Sequence, residues 1–125
     1  MARNVLVTGS SHGIGAAVAI EFAKQGDNVG ITYLKSPEGA KAVQEACLQY
    51  GVDAQIFQVD LSARAQCEKL MQDFLEHFGT IDVLINNAGG ALRIPKGEFD
   101  DMPMDYWDSQ INLNLNACAY CAHAA

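Results

Sequence analysis

Residues 5–15 read Val-Leu-Val-Thr-Gly-Ser-Ser-His-Gly-Ile-Gly, and residues 16–23 read Ala-Ala-Val-Ala-Ile-Glu-Phe-Ala. The first apolar run is typical of a buried strand, and the second stretch is typical of a helix. The glycines between them have the spacing Gly-x-x-x-Gly-x-Gly, and because glycine has no Cβ they allow a tight turn and close backbone approach to a phosphate. The first N–H groups of a helix lack partners within the helix and favour an anion. This stretch therefore predicts a strand, a turn and a helix that together hold a phosphate.

Length, composition and charge restrict the class of protein. The chain has 125 residues, half of them hydrophobic, which suits a single domain over residues 1–125 with a substantial core. The formal net charge of -7 disfavours nucleic acid as a partner. The apolar run near the N-terminus breaks at Gly9, which is too early for a signal peptide or a membrane span. We therefore expect a cytoplasmic protein without membrane contact.

The four cysteines lie in helix-like stretches, where a small buried apolar residue fits, so we expect no disulfides. Cys118 and Cys121 have the two-residue gap of redox and zinc motifs. Further zinc ligands are scattered along the chain, and a redox pair normally opens a helix rather than lying inside one. We interpret both as packing residues and predict no metal site.

Apolar runs and helical patterns alternate along the chain. This alternation predicts an α/β fold with a doubly wound parallel sheet of the Rossmann type, in which ligands lie at the carboxyl ends of the strands. A long loop is expected over residues 89–101, which contain Gly90, Pro95 and Gly97. The predicted strands are 5–7, 29–33, 54–59 and 81–85, and the predicted helices are 14–25, 37–50 (capped by Ser36), 62–78 (capped by Ser62) and 103 to about 123.

A second motif, Asn86-Asn87-Ala88-Gly89, directly follows the fourth predicted strand. Its small residues leave room for a flat ring or a ribose, and its Asn side chains can join neighbouring strand ends. A simple turn at a strand end is the alternative, since Asn and Gly are common there. Together with Thr8–Gly15, this motif resembles the classical short-chain dehydrogenase/reductase family, whose two patterns are matched without departure.

The resemblance implies an oxidoreductase that transfers a hydride between a nicotinamide and a carbonyl or alcohol substrate. Residues 32–36 are loosely similar to those of 3-oxoacyl-carrier-protein reductases and sugar dehydrogenases. The resemblance assigns Asp60 and Leu61 to the adenine, whereas the alternative is that Asp60 only helps to start the next helix. The residues expected to bind the cofactor are Gly9, Ser11, His12, Gly13, Ile14, Gly15, Tyr33, Lys35, Ser36, Asp60, Leu61, Asn87, Ala88 and Gly89.

The end of the second strand bears on the choice of cofactor. NAD enzymes often carry an acidic residue there, but this chain has Tyr33, followed by Lys35 and Ser36. Without a carboxylate a 2′-phosphate is not repelled, and Lys35, Ser36 and His12 can bind it. We predict NADP(H) as the preferred cofactor and NAD(H) as the alternative cofactor. The alternative interpretation of Lys35 is a solvated charge in a loop.

The last predicted helix contains the family's Trp and, seven residues on, the Asn of its catalytic tetrad, here Trp107 and Asn114. The resemblance gives Asn114 the role of holding a water through a local distortion of the helix. Because Asn112 and Asn116 cannot share a helix face with it, we expect Asn114 to be the buried one and the other two to be surface residues.

The family's catalytic Tyr, with a Lys four residues later, has no counterpart, since the four tyrosines are followed at that distance by Pro37, Ala54, Gln110 and Ala124. We therefore expect a fragment, truncated after the helix that follows the fourth strand and inactive by itself. A non-catalytic dinucleotide-binding or regulatory protein is the alternative. A homo-oligomer formed through the last helix is a further hypothesis.

Overall fold

The computed structural model describes residues 2–89 and 99–125. Its four strands form one parallel sheet in the order β3-β2-β1-β4. In this sheet Val5 is paired with Val29 on one side and with Val83 on the other. The strands are β1 (Asn4–Val7), β2 (Asn28–Tyr33), β3 (Ala54–Gln58) and β4 (Val83–Ile85).

The helices follow the strands as the alternating pattern predicts. A short 3₁₀ helix at Phe99–Asp101 precedes the C-terminal helical region, and a π-helical segment at Asn112–Asn116 interrupts that region. The α-helices are α1 (Gly13–Lys24), α2 (Pro37–Leu48), α3 (Arg64–Phe78), α4 (Met104–Ile111) and α5 (Ala117–Ala124).

The core has one layer on each face of the sheet. Val5 and Val7 of β1 pack with α1 and α2, whereas Leu6 between them packs with α3 and α5. This division follows from the alternation of side chains along a strand. The expected doubly wound, Rossmann-like fold is thus confirmed, with the reversal of strand order between β1 and β4.

The predicted last helix is present, since α4, the π-helical segment and α5 follow one another without a break over residues 104–124. One detail of the sequence-based prediction was wrong. The capping serines make no capping hydrogen bond: Ser36 precedes α2 without one, and the residue that precedes α3 is Ala63 rather than Ser62. The predicted loop at 89–101 falls largely outside the described residues.

Candidate functional site

An open cavity of about 390 Å³ lies at the carboxyl ends of the strands. Its lining contains every predicted cofactor residue except Lys35 and Ser36. Thr32, Leu34, Val59 and Leu113 also line it and were not predicted. One cavity is therefore lined by the glycine turn, the end of β3 and the Asn-Asn-Ala-Gly motif. It lies at the reversal of strand order, where such sheets bind ligands.

The glycine turn is packed too tightly for side chains at two of its positions. Gly9 has φ +63°, and a Cβ there would lie 2.8 Å from the Cα of Ala88. A Cβ on Gly15 would meet the carbonyl oxygen of Gly9 and would lie 2.5 Å from Nδ2 of Asn87. These contacts bring the start of α1 against the end of β4 and leave no room for a side chain at Gly9 or Gly15.

Hydrogen bonds join the two motifs directly. The Asn87 side-chain amide donates to the carbonyl oxygens of Thr8 and Gly9, both at 3.1 Å. The buried Thr8 Oγ1 accepts from the backbone N–H groups of Asn87 at 3.1 Å and Ala88 at 3.0 Å. Asn87 therefore has the strand-tying role that its residue type predicted, while the part played by Thr8 was not foreseen.

Two further polar groups stabilise the turn from the side of β2. Thr32 Oγ1 accepts from the Gly9 N–H at 2.8 Å, and the Thr32 N–H donates to Ser10 Oγ at 3.1 Å. Ser10 Oγ in turn donates to the Val7 carbonyl at 2.6 Å. Both Ser10 and Thr32 are buried. The signal in the sequence is a lone Thr inside an otherwise apolar strand, which needs a polar partner when buried.

The start of α1 faces the cavity. His12 precedes the helix in an extended conformation without capping it, and the first turn carries no acidic residue. The N–H groups of residues 13–15 thus have no acceptor within the helix, and the helix dipole adds partial positive charge. The chemistry of this end of the cavity suits an anion that is held by backbone N–H groups.

Asp60 lies in the cavity wall, but its carboxylate is already engaged locally. Its Oδ1 accepts from the N–H of Ser62 at 3.0 Å and from the Ser62 hydroxyl at 2.6 Å. The Asp60 N–H donates to Gln66 Oε1 at 2.7 Å. Asp60 therefore shapes the turn before α3, and it also borders the cavity together with Leu61.

Leu34 is the last residue of this segment that lines the cavity. The predicted cofactor residues Lys35 and Ser36 are not part of the lining. The Ser36 hydroxyl donates to Oε2 of Glu38 at 3.1 Å instead of capping α2. The backbone N–H of Glu38 and the Ser36 hydroxyl lower the pKa of the Glu38 carboxyl. An acidic side chain thus occupies the start of α2, where the sequence analysis had considered only Lys35 and Ser36.

Asn114 lies within the π-helical segment, so the helix is distorted where the resemblance implies it. A Cβ on Gly89 would lie 2.6 Å from Asn114 Oδ1, and Asn114 Nδ2 donates to the Gln110 carbonyl at 3.0 Å. The burial prediction was wrong, because Asn114 is exposed whereas Asn112 and Asn116 are half-buried. Asn116 Nδ2 donates to Asn112 Oδ1 at 2.7 Å, so the side chains of these two residues are partners one helical turn apart.

Within residues 2–89 and 99–125, no group of three or more His, Cys, Asp or Glu side chains is placed to hold a metal ion. No helix in this part of the chain has the length and apolar character needed to cross a membrane. All four cysteines are free thiols, of which Cys47, Cys67 and Cys121 are buried.

Comparisons with known proteins agree with this geometry. The short chain dehydrogenase family model matches residues 3–125. The chain is 33% identical to the 3-oxoacyl-[acyl-carrier-protein] reductase FabG of Staphylococcus aureus over 130 aligned positions, covering 100% of this chain and 50% of that protein.

Solved structures of short-chain dehydrogenases and reductases have the same fold as this chain. An NADH-dependent reductase A1-R′ complexed with NAD is similar with a TM-score of 0.91 and 32% identity, over 99% of this chain and 50% of that one. A short chain dehydrogenase from Burkholderia cenocepacia in complex with NADP has a TM-score of 0.91 and 37% identity, over 98% of this chain and 49% of that one.

The fold and the cavity at the reversal of strand order define a protein of the Rossmann class. The chain belongs to the short-chain dehydrogenase/reductase family. It spans about half the length of the relatives that it matches.

Proposed function

We propose that this chain forms the cofactor-binding half of a short-chain oxidoreductase that prefers NADP(H) to NAD(H) and acts on a carbonyl or alcohol substrate. The observation that carries the proposal is the junction of the two motifs. The Asn87 side-chain amide donates to the carbonyl oxygens of Thr8 and Gly9, and the absence of side chains at Gly9 and Gly15 lets the start of α1 pack against the end of β4. The junction places the start of α1, whose first N–H groups have no acceptor within the helix, beside the cavity, and such N–H groups would bind a pyrophosphate.

The lining residues divide by chemistry into three regions. The N–H groups of Gly13, Ile14 and Gly15 would hold the pyrophosphate. Asp60, with the Leu61 backbone beside it, would accept from the adenine amino group. Ala88 and Gly89 would leave room for the nicotinamide ribose. A bound nicotinamide dinucleotide supplies the hydride, and the chain's own residues orient it.

The preference for NADP(H) rests on the end of β2. Tyr33 and Leu34 line the cavity and neither carries a negative charge. Lys35 follows at once, and the exposed His12 borders the same cavity. A cation or a hydrogen-bond donor here would bind a 2′-phosphate. The similar structures include complexes with NAD and with NADP, which supports a dinucleotide but not the choice between the two.

The chain carries Asn114 beside Gly89 but no Tyr followed four residues later by Lys. In the reaction that the family implies, that Tyr protonates the forming alkoxide. We therefore propose that the 125-residue chain binds cofactor and does not reduce carbonyl compounds. We also propose that the chain self-associates through its C-terminal helices and that it is located in the cytoplasm.

Titration of the purified chain with NADPH and NADH, followed by cofactor fluorescence, tests the preference. We expect NADPH to bind at least about tenfold more tightly, the effect of one additional charge-assisted contact. Equal affinities, or tighter binding of NADH, would contradict the preference. Binding of neither cofactor would contradict the proposed function as a whole.

A further inference from the structure

The first turn of α2 lies against the glycine turn. A Cβ on Gly39 would lie 2.7 Å from the Ser11 carbonyl oxygen, so no side chain separates α2 from Ser11 at this point. Ser11 lines the cavity, and so does Leu34, which precedes α2 by two residues. The segment from Lys35 to Glu38 is therefore anchored beside the cavity at both of its ends.

Within this segment the Glu38 carboxylate is held in place. The Ser36 hydroxyl donates to Glu38 Oε2 at 3.1 Å, and the backbone N–H of Glu38 itself also stabilises the charged form. A carboxylate near the first turn of a helix also interacts favourably with the helix dipole. The Ser36 hydroxyl and the start of α2 are thus already occupied by an anion of the chain itself.

We propose that Glu38 is a specificity-determining residue that weakens binding of a 2′-phosphate at this edge of the cavity. The inference rests on the proposed function, because it concerns how the same cavity distinguishes NADP(H) from NAD(H). The charged residues between Leu34 and the second turn of α2 are Lys35 and Lys41 as cations and Glu38 as the anion, and His12, before α1, lines the cavity. A 2′-phosphate gains from Lys35 but is repelled by Glu38, and it competes with Glu38 for the Ser36 hydroxyl.

The test compares Glu38→Gln with Glu45→Gln in the full chain. Both changes remove one carboxylate from an exposed position of α2, but Glu45 lies two turns away from the cavity. We expect Glu38→Gln to tighten NADPH binding about threefold to tenfold and to change NADH binding less than about twofold. The gain should shrink as NaCl is raised from about 50 mM to about 500 mM, since salt screens exposed charges.

Glu38→Ser provides a second neutral variant in case the first one folds poorly, and thermal unfolding checks both. An NADPH/NADH affinity ratio that is the same in Glu38→Gln, Glu38→Ser and Glu45→Gln would overturn the inference while leaving cofactor binding intact. Weaker NADH binding in Glu38→Gln would also overturn it, because the carboxylate would then be a ribose ligand. Absence of binding in the unaltered chain would instead overturn the proposed function, and this inference with it.

Discussion

Gly9 and Gly13 share a backbone conformation but not an environment. Their φ angles are +63° and +58°, which an L side chain rarely adopts. A Cβ on Gly9 would lie 2.8 Å from Ala88, whereas a Cβ on Gly13 meets nothing within 4 Å. The two positions therefore separate the cost of the backbone conformation from the cost of steric overlap.

Gly13→Ala should lower the free energy of unfolding by about 1 kcal/mol, the cost of a left-handed conformation. Gly9→Ala should lower it by about 3 kcal/mol or more, because Ala88 or the turn must also move. Urea unfolding followed by circular dichroism measures both. Equal losses would show that the turn does not pack on Ala88 as described.

Thr8 tests the hydrogen bonds between the two motifs. Thr8→Val keeps the shape of the side chain but removes the acceptor for the Ala88 N–H, whereas the Asn87 N–H also has the Ile85 carbonyl at 3.1 Å. The Ala88 N–H is partly buried, and leaving it without a partner costs about 1 kcal/mol, so the free energy of unfolding should fall by about that amount. Thr8→Ser keeps the hydroxyl and is the control. A Val variant as stable as the Ser variant would contradict the role of this hydroxyl.

At the scale of the elements, local patterns predicted the order and type of the strands and of the first three helices. They did not predict the π-helical turn at Asn112–Asn116 within the C-terminal helix, which only the family resemblance implied through Asn114. The position of the cavity could be predicted, because ligands bind at the carboxyl ends of parallel strands. The presence of Thr32 and Leu113 in its lining could not, because it depends on packing between distant segments.

The starts of β1 and β2 are joined by an ion pair. Arg3 donates to Asp27 through its backbone N–H, its Nε and its terminal guanidinium nitrogen, the last at 2.7 Å. These bonds hold the pKa of the buried Asp27 carboxyl below its ordinary value of 3.8. Because the folded-state pKa is the lower one, the ionised form stabilises the fold fully above the unfolded pKa. This contribution is lost as the pH falls through the folded-state pKa.

Asp27→Asn should therefore be less stable than the unaltered chain by a constant amount above about pH 5, and the difference should shrink below the unfolded pKa. Thermal unfolding of both proteins across this range measures the difference. The difference between the two free energies of unfolding at each pH removes the contribution of every other carboxyl group, since those groups are the same in both proteins. A difference that grows as the pH falls would contradict the ion pair.

For the whole molecule, both faces of the sheet are covered while its two outer strands, β3 and β4, each have one neighbouring strand among the described residues. The three residues of β4 are only half-buried, although their unbroken apolar sequence suits a strand covered on both faces. A second groove, of about 340 Å³, lies between β3 and α3 and shares no lining residue with the cavity. The location of a bound dinucleotide therefore distinguishes the proposed site from another surface of the same molecule.

Backbone amide chemical shifts of the ¹⁵N-labelled chain during titration with NADPH give the most direct test. The proposed site predicts saturable shifts that are largest at Gly13, Ile14 and Gly15 and at residues 87–89, with little change at Ile56 and Lys69 in the second groove. Shifts confined to that groove, or no saturable shift in the glycine turn, would contradict a phosphate cradle at Thr8–Gly15.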